Sequence, residues 1–154
     1  MSRVQLALNV TNIDDAIAFY SKLFQTEPAK VRPWYANFAI TDPPLKLVLI
    51  EGQVGGTLNH LGVEVGSADE VTATTARLAA QGMATAVEEQ VSCCFAVQDK
   101  VWVDGPDAEP WEVYTVVADA EHQDGTLRSA EPGENAACCS TVSPETAEAL
   151  GCCG

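Results

Sequence analysis

A chain of 154 residues with a formal net charge of -14 is sized for one compact domain, and its acidity disfavours both nucleic-acid phosphates and anionic lipid as partners. No apolar run approaches the roughly 18 to 20 residues that cross a bilayer. Met1-Ser2-Arg3 leads straight into alternating residues rather than the apolar stretch of a signal peptide, so a cytoplasmic address and a small ligand are expected. In chain order, Val4, Leu6, Leu8 and Val10 alternate with Gln5, Ala7 and Asn9, the period of a half-buried strand. A helix follows: Asn12 caps it, Asp14 and Asp15 suit its positive end, Ile13, Ile17, Tyr20 and Phe24 recur at helical spacing, and Pro28 lies beyond it. Strands are predicted over Trp34 to Ile40 and Leu45 to Glu51, separated by Asp42-Pro43-Pro44 and closed by Gly52, Gly55 and Gly56. With one weakly marked strand added, this is a βαβββ unit.

The pattern then restarts. His60-Leu61-Gly62-Val63-Glu64-Val65 reads like Gln5-Leu6-Ala7-Leu8-Asn9-Val10, an offset of 55 (60 minus 5). Ser67 and Glu70 form a capping box for a second helix, Val71, Leu78 and Ala79 give its apolar stripe, and Gly82 ends it. Strand material is predicted from Ala86 to Val97, a tight turn at Gln98-Asp99, a strand from Val101 to Val103, a loop through Asp104-Gly105-Pro106-Asp107, and a last strand from Trp111 to Val117. The expected fold is therefore α+β: two pseudo-symmetric βαβββ modules, residues 1–56 and 57–118, forming a curved, open mixed sheet around a metal site. Residues 119–154, acidic and poor in apolar residues, are expected to be a flexible tail that carries four of the cysteines.

The six cysteines occur only as neighbours: Cys93-Cys94, Cys138-Cys139 and Cys152-Cys153. A disulfide between neighbours closes almost no loop, so vicinal thiols serve better as a bidentate trap for a soft ion than as a staple. Adjacent side chains on a regular strand point to opposite faces, so joint chelation by Cys93 and Cys94 requires a turn or irregular loop there, and a lid-like segment over residues 88 to 102 is expected. The repeat also brings Gln5 and His60 to equivalent positions side by side. Glu112, set between Trp111 and Val113, is costly to bury without a compensating charge. One imidazole, one carboxylate and one amide, with positions left open, approximate the facial set that suits Fe(II) in oxygen-using enzymes. From the residues alone, Gln5 is either a ligand or a polar neighbour of the site. His122 falls outside the repeat and is expected to be solvent-exposed, and Trp34, Tyr35, Phe95 and Trp102 are either pocket wall or plain core.

The helix Ile17-Ala18-Phe19-Tyr20-Ser21-Lys22-Leu23-Phe24, the Asn59-His60-Leu61-Gly62 restart and the Asp104-Gly105-Pro106-Asp107 to Trp111-Glu112 ending resemble the vicinal oxygen chelate superfamily over residues 4 to about 117. Cys93-Cys94-Phe95-Ala96-Val97-Gln98-Asp99-Lys100-Val101-Trp102 resembles the thiol-pair segment of its carbon-arsenic lyases, which are type I extradiol dioxygenase-like; cadmium-induced proteins of the same superfamily are close. The resemblance implies Fe(II) held by Gln5, His60 and Glu112, with Gln5 departing from the more common histidine. It also implies trivalent organoarsenicals (methylarsonite, aromatic arsenicals) bound by Cys93 and Cys94, cleavage of their carbon-arsenic bond with dioxygen, and release of arsenite, in a monomer or homodimer. Two rivals stand beside it: a thiol-based cadmium or arsenic sequestration protein, and another enzyme of the superfamily, glutathione-dependent or ring-cleaving.

Overall fold

A computed structural model describes residues 2–52, 54–93 and 95–120. The elements are β1 (Arg3–Val10), α1 (Ile13–Phe24), β2 (Lys30–Arg32), β3 (Tyr35–Ile40), β4 (Leu45–Glu51), β5 (Thr57–Glu64), α2 (Ala68–Ala80), β6 (Ala86–Cys93), β7 (Ala96–Asp104) and β8 (Pro110–Asp119). The strands form one sheet in the order β2-β3-β4-β1-β5-β8-β7-β6. Each half of that order is one βαβββ module, and the halves join through antiparallel β1 and β5. Next to this seam lie the parallel pairs β1–β4 and β5–β8, so the pseudo-twofold axis runs between the two strands expected to carry Gln5 and His60.

Both helices start where the sequence places them. Asn12 Oδ1 accepts from the Asp15 amide at 2.9 Å and Ser67 Oγ from the Glu70 amide at 3.3 Å. Each bond satisfies one of the amides a helix start leaves open. The stripe Ile13, Ile17, Tyr20 and Phe24 of α1 packs on Leu6, Leu8, Phe38, Leu47 and Leu49, and α2 lays buried Val71 and Leu78 on β7 and β8. Each fully buried Leu or Phe contributes about 1.5–3 kcal/mol, so this face of the curled sheet supplies much of the core. The opposite, concave face carries Ala7, Tyr35, Val48, Ile50 and Phe95.

Two expectations are corrected. No turn occurs at Gln98-Asp99; both residues lie inside β7. Ala96, Gln98, Lys100 and Trp102 are all buried and share one face, so the period of two runs unbroken through the polar pair. The reversal falls instead between Cys93 and Ala96, which face each other across the β6–β7 ladder, with Phe95 at φ 61 in the turn. The extra length is absorbed by an irregularity between Glu88 and Val91, where Gln90 takes φ 52 and its amide donates to Asp99 Oδ1 at 2.8 Å. The segment expected as an irregular lid over residues 88 to 102 is accordingly for the most part a paired edge hairpin. Strand β8 runs to Asp119, which pairs there with Lys30. Cys94, His122 and the four tail cysteines Cys138, Cys139, Cys152 and Cys153 lie outside the described residues. Among the described residues no helix is long and apolar enough to cross a membrane.

Candidate metal centre

Strand register brings three side chains together over a glycine. Gln5 pairs with Gly62 across β1–β5, and Gly62 pairs with Glu112 across β5–β8, so the three form one row across the centre of the sheet. Gly62 has no side chain to separate its neighbours, and Gln5 Nε2 donates to Glu112 Oε1 at 2.7 Å above it. His60, two residues earlier on the same face of β5, places Nε2 2.9 Å from Gln5 Nε2 and 3.3 Å from Glu112 Oε1. All three are almost completely buried. A Cβ on residue 62 would lie 3.1 Å from Glu112 Cγ and 3.2 Å from Gln5 Cβ. Gly62→Ala is therefore expected to push the two donors apart and weaken divalent-metal affinity about tenfold, the equivalent of ~1.4 kcal/mol. Its unfolding free energy should move by less than about 1 kcal/mol, because alanine is the better strand residue and offsets the crowding; metal titration and urea unfolding of one preparation check both.

The tautomer of His60 is fixed by a chain of donors. The ladder shifts register between Ala7 opposite His60 and Leu8 opposite Leu58, which leaves Asn59 as the extra residue of a bulge. A bulge re-aims side chains, and Asn59 meets both its neighbour and Asn9. Thr57 Oγ1 donates to the Val54 carbonyl at 2.9 Å, Asn9 Nδ2 donates to Thr57 Oγ1 at 2.9 Å, and Asn59 Nδ2 donates to Asn9 Oδ1 at 2.8 Å. This leaves Asn59 Oδ1 as acceptor for the Nδ1–H of His60, 2.7 Å away. Nε2 then carries the lone pair and faces Gln5 and Glu112, as a metal-ligating imidazole must. Asn59→Ala frees the ring, and the expected result is a 10- to 100-fold loss of metal affinity, read by the same titration.

Glu112 is held ionised. Burial pushes its carboxyl up, but the His60 ring when it carries a proton on Nε2, the Lys100 ammonium and the Gln5 amide outweigh burial and bring it down to about 2; with Nε2 bare, Lys100 and Gln5 still favour the carboxylate. Lys100, fully buried, lies 3.4 Å from Glu112 Oε2, the oxygen turned away from His60, and 3.9 Å from Glu88. Oε1 thereby faces Gln5 and His60 rather than Lys100. Trp102 stands edge-on to His60 at 5.5 Å between ring centres and donates its indole N–H to Glu88. One row further along, Tyr114 donates to Gln5 Oε1 at 2.6 Å, and Glu64 receives Arg3. The phenol is pushed up by burial and by the Glu64 and Glu112 carboxylates and stays protonated. Burial raises Glu64, but Arg3, Lys46 and the Tyr114 hydroxyl together lower it below the ordinary range.

An imidazole with its lone pair inward and a buried ionised carboxylate, 3.3 Å apart over a glycine, fit a divalent cation, and the Gln5 amide beside them presents its nitrogen, so it joins the donor set only with its oxygen turned inward. Among the described residues no group of three His, Cys, Asp or Glu side chains that could hold a metal occurs, and the third polar side chain beside His60 and Glu112 is the amide of Gln5. The sequence reasoning missed Gly62, Asn59, Lys100 and Tyr114. The signal for Lys100 and Tyr114 was present: each is two residues from a functional candidate on a strand, hence on its face. The aromatic residues divide. Phe95 meets Trp34 and Tyr35 in tilted contacts at 5.2 and 5.3 Å between ring centres and packs on Ala7, whose ladder partner is His60, so Phe95 covers part of the concave face.

A pseudo-twofold curled sheet of two βαβββ units with polar donors at its seam defines a vicinal oxygen chelate architecture. Residues 3–113 match the Glyoxalase/Bleomycin resistance protein/Dioxygenase superfamily, and the chain belongs to that family. It is 60% identical over 142 residues to the cadmium-induced protein CadI of Mycobacterium tuberculosis, covering 90% of this chain and 93% of that one. It is 57% identical over 141 residues to the trivalent organoarsenical cleaving enzyme of Thermomonospora curvata, covering 90% and 89%. Among solved structures, the fold is similar to the Mn(II)-bound glyoxalase of Novosphingobium aromaticivorans, with TM-score 0.58 and 22% identity over 81% of this chain and 43% of that one. It is also similar to an extradiol ring-cleaving dioxygenase of B. fuscum, with TM-score 0.57 and 19% identity over 77% and 34%.

Proposed function

We propose that this chain cleaves the carbon-arsenic bond of trivalent organoarsenicals with Fe(II) and dioxygen, releasing arsenite. The observation that carries the reading is the buried convergence of Gln5, His60 and Glu112 on the concave face of the sheet. The relative from Thermomonospora curvata, named for organoarsenical cleavage, supports it. In this reading Gln5, His60 and Glu112 hold the ion; bound Fe(II) supplies open coordination positions and the electron chemistry that dioxygen needs. Cys93 and Cys94 bind arsenic through two sulfurs, and Lys100 offsets the charge of Glu112 without occupying the oxygen that faces the ion. Trp102, Phe95 and Tyr35 exclude water from the concave face around the reacting bond.

A second reading, capture of cadmium or arsenite by the thiols without turnover, draws on the three cysteine pairs and on the similarity to a cadmium-induced protein. One experiment separates them. Protein loaded anaerobically with Fe(II) is given methylarsonite and then oxygen, and arsenic species are resolved against an iron-free control. Arsenite formed only with iron establishes the cleavage. Arsenical retained by the thiols and recovered intact establishes sequestration.

A further inference from the structure

Beside the row of candidate ligands, one proton has two claimants. Tyr114 Oη lies 2.6 Å from Gln5 Oε1 and 3.2 Å from Glu64 Oε2. A phenol carries a single proton and can also accept. Neither rival supplies one, because an amide oxygen only accepts and Glu64 sits against Arg3 Nε at 2.9 Å and Lys46 Nζ at 3.7 Å. In the arrangement observed, the amide nitrogen of Gln5 faces His60 and Glu112 and donates to both, while its oxygen takes the phenol proton. A neutral amide ligates a cation through oxygen, and here the oxygen points away from the other two donors.

Turning the amide end for end resolves this without losing a bond at Tyr114. Oε1 then faces His60 and Glu112, Nε2 donates to Tyr114 Oη, and the phenol proton passes entirely to Glu64. We propose that Tyr114 and Glu64 are positioning residues that make Gln5 a convertible metal ligand. The hydroxyl partners either end of the amide, and with oxygen inward it relays the Glu64 carboxylate to the amide N–H, raising electron density on the oxygen offered to the ion. Outer carboxylates tune metal-bound imidazoles in this way; here the tuned group is an amide and the relay is a phenol. Strand register builds the device, since Glu64 and Tyr114 pair across β5–β8 two residues along from Gly62 and Glu112, hence on the same face.

The inference rests on the metal-site reading above, and the test keeps the two apart. Co(II), which does not turn over with oxygen as Fe(II) does, is titrated anaerobically and followed by its visible absorption. Tyr114→Phe is expected to weaken Co(II) binding about 10- to 100-fold. Glu64→Gln is expected to do so as well, because its own N–H occupies Tyr114 Oη and locks the phenol proton onto Gln5 Oε1. Gln5→Glu has two equivalent oxygens and no N–H to relay, so adding Tyr114→Phe to it should change affinity by less than about twofold. Equal losses in both backgrounds mean that Tyr114 merely holds the strand packing, and overturn the relay. Wild-type affinity retained in Tyr114→Phe overturns it too, with the metal site standing. Absence of Co(II) uptake by the wild-type protein removes the metal site and the relay together.

Discussion

Replacing Glu112 with Ala is expected to abolish divalent-metal binding and to lower the unfolding free energy by about 3 kcal/mol, at the low end for breaking a buried ion pair. The magnitude follows from what is left behind. Lys100 is fully buried and loses the carboxylate of Glu112 at 3.4 Å, while Glu88 remains at 3.9 Å. The N–H that Gln5 gave to Glu112 is left facing the space that truncation opens. Glu112→Gln fills that space and should cost less stability while still losing the metal, since a neutral amide replaces the only carboxylate in the set. Acid separates the electrostatic part. A carboxyl held at about 2 in the folded chain, against an ordinary 4.5, contributes its stability in full above 4.5 and loses it as pH falls toward 2. Wild-type stability should therefore drop more steeply than that of Glu112→Gln between those two values, with the curves converging at the acid end. Parallel curves in urea unfolding would show that the carboxylate is not held by its neighbours.

That the site forms at all follows from register, and register was partly legible in the sequence. The offset between Gln5 and His60 identified two equivalent strands, and an apolar surround marked Glu112 as a carboxylate in need of a partner. What the alternation could not show was how the two strands pair. Gln5 lies opposite Gly62 rather than opposite His60, and the diagonal contact to His60 depends on that two-residue slip. Gly62 read as one small residue of a repeat, because its value lies in the side chain it lacks, and that becomes visible only when Gln5 and Glu112 are placed on either side of it.

The helices were the most legible elements, because their signals are local: a cap, a charged first turn, an apolar stripe. The β6–β7 hairpin was the least. Gln98-Asp99 has turn-forming composition, but Gln98 is buried in phase with Ala96, Lys100 and Trp102, and the alternation of the strand overrode the dipeptide. The actual reversal is marked by no glycine or proline; Phe95 takes a positive φ and is held by its packing on Tyr35, Trp34 and Ala7. Lys30 Nζ and the Ala120 amide both donate to the Phe95 carbonyl, at 2.9 and 3.1 Å. Tertiary contacts from the far edge of the sheet and from the end of β8 thus specify a turn that local sequence does not.

Cys94→Ser is expected to lower affinity for a trivalent arsenical by about 100-fold or more, while leaving Co(II) affinity within about twofold. A second thiolate tethered beside the first acts at a high effective concentration, so two sulfurs bind one soft ion far more tightly than one does. The condition is that neighbouring side chains reach a common point, which a continuous strand forbids. The β6–β7 ladder pairs Cys93 with Ala96, so the backbone reverses immediately after Cys93. Cys93→Ser should give the same loss; a large loss in one variant and none in the other would mean single-thiol binding and would remove the chelate. Glu112→Ala supplies the opposite pattern, with arsenical retained and metal lost. The two effects are expected to separate because Cys93 ends the edge strand β6, whereas Gln5, His60 and Glu112 lie on the central strands β1, β5 and β8. Phe95, two residues after Cys93, packs on Ala7 across from His60 and so covers part of the concave face that carries the three side chains.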